Sequence, residues 1–243
     1  MKKIIIGIVI VSVVITTAIY IYFKNDKVSI LALGDSVAKG ISPYGGETYS
    51  YTDYVAEYLK NNDKLKTYYR NFTGNDLRTS DLINIIKNNE KGIYNGRNVT
   101  IQQAMVKSEV ITISIGSYDL YNHLGITNGG EPIKTKKELN DYFMSMFTDL
   151  NNLLELIKSY TSAEIVIIGF HNPEIAPLDE VVETFEFIDN SYKKIAEKNN
   201  CTYISINKDV SGNEEYFPNS ENIHFNYKAH KLISDKIIKS LKL

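Results

Sequence analysis

The chain has 243 residues, of which 43% are hydrophobic and 23% are charged, and its formal net charge at pH 7 is −2. These values suit one α/β domain with a sizeable buried core and a short tail, and they exclude a disordered chain. The balanced charge also argues against a nucleic-acid binder, which should carry a basic stripe. The single cysteine, Cys201, excludes an intrachain disulfide and a thiolate metal cluster, and its strand-like surroundings indicate a buried thiol.

The N-terminal segment predicts a membrane anchor. An uncharged, largely apolar run covers residues 4–23, and about 20 apolar residues are needed for a helix to cross a bilayer. A cleaved signal peptide is the alternative, but the run continues past Ala18, which favours an uncleaved single-pass anchor. Residues 1–27 are therefore predicted to be the anchor or signal segment. Either choice places residues 28–243, one domain, outside the cytoplasm, and a cleaved segment would make this domain secreted.

Strand-like and helix-like stretches alternate along the rest of the chain. Short apolar, β-branched runs predict strands at Val28–Leu33, Lys66–Phe72, Val110–Ile115, Glu164–Gly169 and Thr202–Ile206. Helical spacing of apolar residues predicts helices at Tyr49–Lys60, Ser80–Asn88, Lys136–Tyr160, Val181–Lys198 and Asn226–Leu243. The alternation indicates a three-layer α/β/α sandwich whose parallel sheet has about five strands, similar to flavodoxin in strand order.

Four short polar motifs stand where ligands bind in such folds. Open α/β sheets bind ligands at the carboxyl ends of their strands, so the residues that follow each predicted strand are the candidates. The motifs are Gly34-Asp35-Ser36-Val37 after the first strand, Thr73-Gly74 after the second, Gly116-Ser117-Tyr118-Asp119 after the third, and Glu221-x-x-His224-x-Asn226 before the final helix.

In this order the four motifs resemble the sequence blocks of the GDSL, or SGNH, hydrolases. The resemblance runs from about residue 28 to the C-terminus, and four motifs in order are far more specific than any one of them. It implies an SGNH hydrolase domain with serine esterase or acylhydrolase activity and no cofactor.

The residues themselves predict the same chemistry. A serine hydroxyl is a weak nucleophile until a base removes its proton. Ser36 stands where a strand gives way to a helix, His224 is the best available base, and Glu221 lies three residues earlier, where it can orient the imidazole. Asp35 and Asp119 are expected to tie loops together instead of carrying protons. Taken alone, Ser36 would be read as a helix N-cap.

An oxyanion hole completes the predicted site. The backbone N–H groups of Ser36 and Gly74 are the expected donors. The resemblance implies a third donor, an Asn side chain, at the position of Tyr118 in this sequence. Loss of one such donor typically lowers the rate by about 10²–10³-fold. Three outcomes are open: a slower enzyme, a donor from elsewhere such as Asn75, or a fold that has lost catalysis.

The predicted function is hydrolysis of carboxylic esters, either O-acyl groups of carbohydrates or acyl chains of lipids, through an acyl-enzyme. The alternative is a weak or inactive membrane-tethered binding module, in which the Tyr118 ring stacks on a sugar. No metal is expected, because the spacing of His123 and His171 matches no zinc motif. The expected partners are a small-molecule, glycan or lipid ester and the membrane, and no nucleic acid.

Overall fold

A computed structural model describes residues 27–124, 135–173, 179–219 and 222–243. The strands are β1 (Val28–Gly34), β2 (Leu65–Thr73), β3 (Lys91–Tyr94), β4 (Arg97–Thr100), β5 (Val110–Ser114), β6 (Glu164–Ile168) and β7 (Thr202–Ile204). The helices are α1 (Ser36–Lys39), α2 (Tyr51–Asn61), α3 (Thr79–Lys87), α4 (Ile101–Lys107), α5 (Ser117–His123), α6 (Lys136–Tyr160), α7 (Asp179–Lys198), α8 (Asn207–Val210) and α9 (Tyr227–Leu241).

Five strands form one parallel sheet in the order β2-β1-β5-β6-β7. Counted along the chain without the hairpin strands, this order is 2-1-3-4-5, so the predicted flavodoxin-like sheet is confirmed. The chain places β2 on one side of β1 and β5 on the other. The direction of winding therefore reverses at β1, and such a reversal opens a crevice at the carboxyl ends of the two strands concerned.

Two buried clusters show that helices cover both faces of the sheet. One cluster joins side chains such as Leu31 and Leu33 of β1 to helices α3, α4, α6 and α7. The other joins Ile30 of the same strand to α1, α2, α8 and α9. Because successive side chains of a strand point to opposite faces, alternate residues of β1 supply both clusters. The arrangement is the predicted three-layer sandwich.

All ten predicted strands and helices are present, with ends shifted by a few residues. The hairpin of β3 and β4 was not predicted, although its turn carries a recognisable signal. Asn95 and Gly96 form the two-residue turn with φ of 49° and 73°, and an Asn-Gly pair is the usual choice where both turn residues need positive φ.

The predicted anchor lies outside the described residues, apart from Lys27. Within the described ranges, no helix is long and apolar enough to cross a membrane.

Candidate active site

Ser36 is the first residue of α1 and follows directly after β1, at the point where the winding of the sheet reverses. Gly34 makes this sharp turn with a φ of 124°, and a Cβ atom there would lie 1.8 Å from the carbonyl oxygen of Ser114. Asp35 caps the helix, since its Oδ1 accepts the N–H of Val37 at 3.2 Å. The N-cap role weighed for Ser36 thus belongs to Asp35. Ser36 is left with 8% of its surface exposed at the crevice.

The carboxyl group of Asp35 ties β1 to β5 below the nucleophile. It is fully buried and accepts hydrogen bonds from Ser114 Oγ at 3.0 Å and Ser117 Oγ at 2.7 Å. Burial raises the pKa of Asp35 to about 6, and the hydrogen bonds from the two serines oppose that rise. These contacts agree with the structural role predicted for Asp35, because its carboxyl group lies inside the protein and not in the crevice.

Tyr118 packs against a cation. The guanidinium carbon of Arg78 lies 5.6 Å from the centre of the Tyr118 ring, and its Nε lies 3.2 Å from Asp119 Oδ1. A cation over an aromatic face is an attractive contact, so Arg78 holds the first turn of α5 against the start of α3. Burial raises the pKa of Asp119, and the charge of Arg78 opposes the rise. The Tyr118 hydroxyl has no hydrogen-bond partner among the described residues.

The predicted oxyanion donors differ in whether their N–H groups already make a hydrogen bond. The N–H of Gly74 donates to the carbonyl of Gly34 at 2.9 Å, so in this structure it closes the β1–β2 edge and is not directed at a substrate. The N–H of Ser36 makes no hydrogen bond with the described part of the chain, and the same is true of Asn75 and Asp76 in the turn that follows Gly74. The turn after β2 therefore offers unpaired donors one and two residues beyond the predicted one.

His224 lies half-buried in the loop before α9. Its Nδ1 is 2.6 Å from Asn222 Oδ1, and its backbone N–H donates to the same oxygen at 2.9 Å. Burial lowers the pKa of His224, and the negative charge of Asp76 opposes that effect. Glu221, the predicted third member of the triad, lies outside the described residues.

A buried aromatic group lies beneath the His224 loop, and sequence reasoning gave it no catalytic role. The ring of His171 stacks on Phe217 and meets Phe225 edge-on. Its Nε2 is 3.2 Å from the carbonyl oxygen of Ile223, and the Tyr121 hydroxyl donates to the backbone oxygen of His171 at 2.7 Å. The residue before His224 is thus bound to the loop that follows β6.

The segment that follows Ser36 is also linked to the segment that precedes His224. The N–H of Ile41 donates to the carbonyl of Ser36 at 3.0 Å, and two residues later the carbonyl of Pro43 accepts from Asn219 Nδ2 at 2.9 Å. No hydrogen bond joins Ser36 Oγ to His224 in this structure. Catalytic hydrogen bonds are often long in the absence of substrate.

In the described part of the chain no three His, Cys, Asp or Glu residues are grouped as a metal site would need.

Comparison with protein families agrees with this geometry. The model of the GDSL-like lipase/acylhydrolase family matches residues 32–232, which include all four motifs. The chain belongs to the GDSL-like lipase/acylhydrolase family. It is therefore an esterase, which favours the enzyme over the inactive binding module. No curated protein matches this esterase at a significant level.

Solved structures with the same fold include an acetylxylan esterase and a second hydrolase. The acetylxylan esterase Axe2 from Geobacillus stearothermophilus superimposes with a TM-score of 0.63 at 16% identity, over 89% of this chain and 94% of that one. LAE5, an alpha/beta hydrolase from the metagenome of Lake Arreo, gives a TM-score of 0.62 at 12% identity, over 88% and 95% of the two chains. At these identities the likeness shows a shared fold.

Proposed function

We propose that this esterase cleaves carboxylic esters through an acyl-enzyme, with Ser36 as nucleophile and His224 as general base. The observation that carries the proposal is the position of Ser36. It starts a helix at the switch point of the sheet, is supported by the buried Asp35 network, and has an N–H with no acceptor in the described part of the chain. Nucleophiles of this kind need a nearby base, and the His224 loop is tied to the loop that follows Ser36.

Each of the two proposed steps passes one proton through His224, the first from Ser36 to the leaving alcohol and the second from water to Ser36. Ser36 Oγ attacks the carbonyl carbon while its proton passes to His224 Nε2, and the tetrahedral intermediate collapses when the alcohol oxygen leaves with that proton. Water then gives a proton to His224 and attacks the acyl group. Ser36 Oγ leaves, takes the proton back from His224, and releases the acid.

The developing oxyanion needs donors that are already in place. The N–H of Ser36 is the first. The N–H groups of Asn75 and Asp76, which have no acceptor among the described residues, are the next candidates, because Gly74 is engaged with the carbonyl of Gly34. Asp76 also acts on the pKa of His224, which indicates that this turn lies close to the base. In this proposal the turn after β2 supplies the donor that an amide at position 118 would otherwise give.

The proposed substrates are short acyl esters of carbohydrates. Axe2, with the same fold, is an acetylxylan esterase. An apolar N-terminal run would hold the domain at the outer face of a membrane, where surface glycans carry such esters and where lipid esters are also within reach.

Carbonate extraction of membranes and protease treatment of intact cells test this placement at the membrane. Release of the full chain by carbonate would contradict an anchor.

Hydrolysis of p-nitrophenyl acetate by the full chain in detergent tests the nucleophile. Ser36→Ala should lower kcat at least about 10³-fold, because triad members act as a unit. Ser159→Ala is the matched control, since Ser159 is exposed on α6. A fluorophosphonate probe should label the parent chain and the control but not Ser36→Ala. Equal rates in all three proteins would remove Ser36 from the mechanism.

A further inference from the structure

The amide oxygen of Asn222 accepts two hydrogen bonds from the same residue. The backbone N–H of His224 donates to Oδ1 at 2.9 Å, and the imidazole Nδ1 lies 2.6 Å from that atom. The first contact is a local turn in which an Asn side chain binds the backbone two residues further on. The second contact places the imidazole Nδ1 within hydrogen-bond distance of the same side-chain oxygen.

The backbone contact determines which end of the amide faces the histidine. An Asn amide has an acceptor end and a donor end of nearly equal shape, and neighbouring groups decide between them. A backbone N–H can only donate, so the atom of Asn222 that meets it has to be the oxygen. The same oxygen faces Nδ1, and Nδ1 therefore carries the proton.

The remaining ring nitrogen is then the base. With its proton on Nδ1, a neutral imidazole has its lone pair on Nε2. We propose that Asn222 is the positioning residue that holds His224 in this tautomer, with an amide where a triad usually has a carboxylate. This inference rests on the proposed function, because it gives His224 its role as the base for Ser36. Cysteine proteases with a Cys-His-Asn triad show that an amide can perform this task.

A neutral partner changes how the base responds to pH. Asn222 lends no charge to the imidazolium that forms during the reaction. Among the described residues the titratable groups that act on or respond to His224 are Asp76, His171 and His230. The two histidines are buried and their pKa values are lowered, to about 4 and about 3, so both stay neutral near pH 7. Of the charged groups in the described ranges, Asp76 is then the one that assists the imidazolium.

Nitrogen-15 NMR of the histidine rings tests the tautomer directly. The chain has 4 histidines, so each ring can be assigned by substitution. In the full chain in detergent, His224 should show a protonated Nδ1 and an unprotonated Nε2 at pH 7.5. Asn222→Ser keeps an acceptor for the backbone N–H but is too short to reach Nδ1, so His224 should become a tautomer mixture. A protonated Nε2 on His224 in the parent chain would overturn the proposal.

Kinetics with p-nitrophenyl acetate test the consequence. Asn222→Ala and Asn222→Ser should each lower kcat about tenfold to hundredfold with little change in KM. Asn222→Asp should retain most of kcat and move the acidic limb of the kcat/KM profile upward by about one pH unit, because a carboxylate stabilises the imidazolium. Unchanged kcat in Asn222→Ala, at a melting temperature close to that of the parent, would refute the role.

Two further variants distinguish the role of Asn222 from a role of Glu221 and from the proposed role of Ser36. Glu221→Gln should lower kcat less than Asn222→Ala does, and a larger loss would assign the orienting role to Glu221. Ser36→Ala should remove activity while leaving the His224 tautomer as in the parent chain. If Ser36→Ala keeps full activity but the tautomer still depends on Asn222, the proposed function fails and the assignment of the hydrogen bond survives.

Discussion

Ser36 and His224 stand at the same edge of the sheet, but different kinds of contact hold them. Ser36 is placed by residues of its own motif and of the neighbouring strand: Gly34 makes the turn, and Asp35 binds Ser114 and Ser117 inside the protein. His224 is placed by a loop. The carbonyl of the preceding Ile223 accepts from His171 Nε2, and the ring of the following Phe225 meets His171 edge-on, so both contacts come from a distant part of the chain.

The difference predicts how each side responds to change. Around the nucleophile, Gly34 and Asp35 both start helix α1 and hold β1 against β5. Substitutions there should therefore appear mainly as lost stability. Around the base, the polar contacts that place His224 are made by loop residues outside the strands of the sheet, so damage to these contacts should appear mainly as lost rate. The following predictions test this comparison, from the largest effect to the smallest.

Gly34→Ala should damage the nucleophile side most. The new Cβ would stand 1.8 Å from the carbonyl oxygen of Ser114, at a φ of 124°. We expect the free energy of unfolding to fall by at least about 3 kcal/mol, measured by urea denaturation. Gly45→Ala is the control, because Gly45 has a φ of 84° but no atom within 4 Å of the added Cβ. If the two substitutions destabilise the chain equally, the collision with β5 is not what requires glycine at position 34.

Ser117→Ala should have a smaller and pH-dependent effect. The folded pKa of Asp35 is about 6 and its ordinary value is 3.8, so the folded chain retains a proton that the unfolded chain has lost. The contribution of this group to stability is therefore full below pH 3.8 and is lost as the pH rises through 6. Above pH 6 the buried carboxylate depends on its serine donors. Without Ser117, stability should fall by about 1.5–3 kcal/mol at pH 7.5 and by about 1 kcal/mol at pH 5.

Ser108→Ala is the matched control for that experiment. Ser108 is also buried, and it donates to the uncharged carbonyl of Ala104 at 2.8 Å. Its removal should lower stability by about 1 kcal/mol at both pH values. A loss in Ser117→Ala that is equally independent of pH would contradict the charge-dependent role assigned to Asp35.

His171→Leu should act mainly on rate. The carbonyl of Ile223 can only accept, and the Tyr121 proton already goes to the backbone oxygen of His171, so His171 Nε2 carries a proton and holds the His224 loop. Loss of this bond should lower kcat about tenfold through a misplaced base. His171→Gln should recover most of kcat, because its amide nitrogen can reach the position of Nε2. Equal rates in the two variants would show that the hydrogen bond does not position the loop.

Local patterns in the sequence were sufficient to predict the layers, the strand order and the places of the four motifs. Hydrophobic periodicity and strand-to-helix turns are local properties, and parallel strands bring their carboxyl ends to one edge. Ser36 could be singled out for this reason, because its turn is made by adjacent residues.

The hydrogen-bond and packing partners of the polar groups could not be predicted in this way. The engagement of Gly74 with Gly34, the packing of Arg78 on Tyr118 and the bond from His171 to Ile223 all join residues that are far apart in the chain. A hydrogen bond depends on tenths of an ångström and on the direction of a lone pair. Such geometry follows from how the elements pack together, and residue spacing does not encode it.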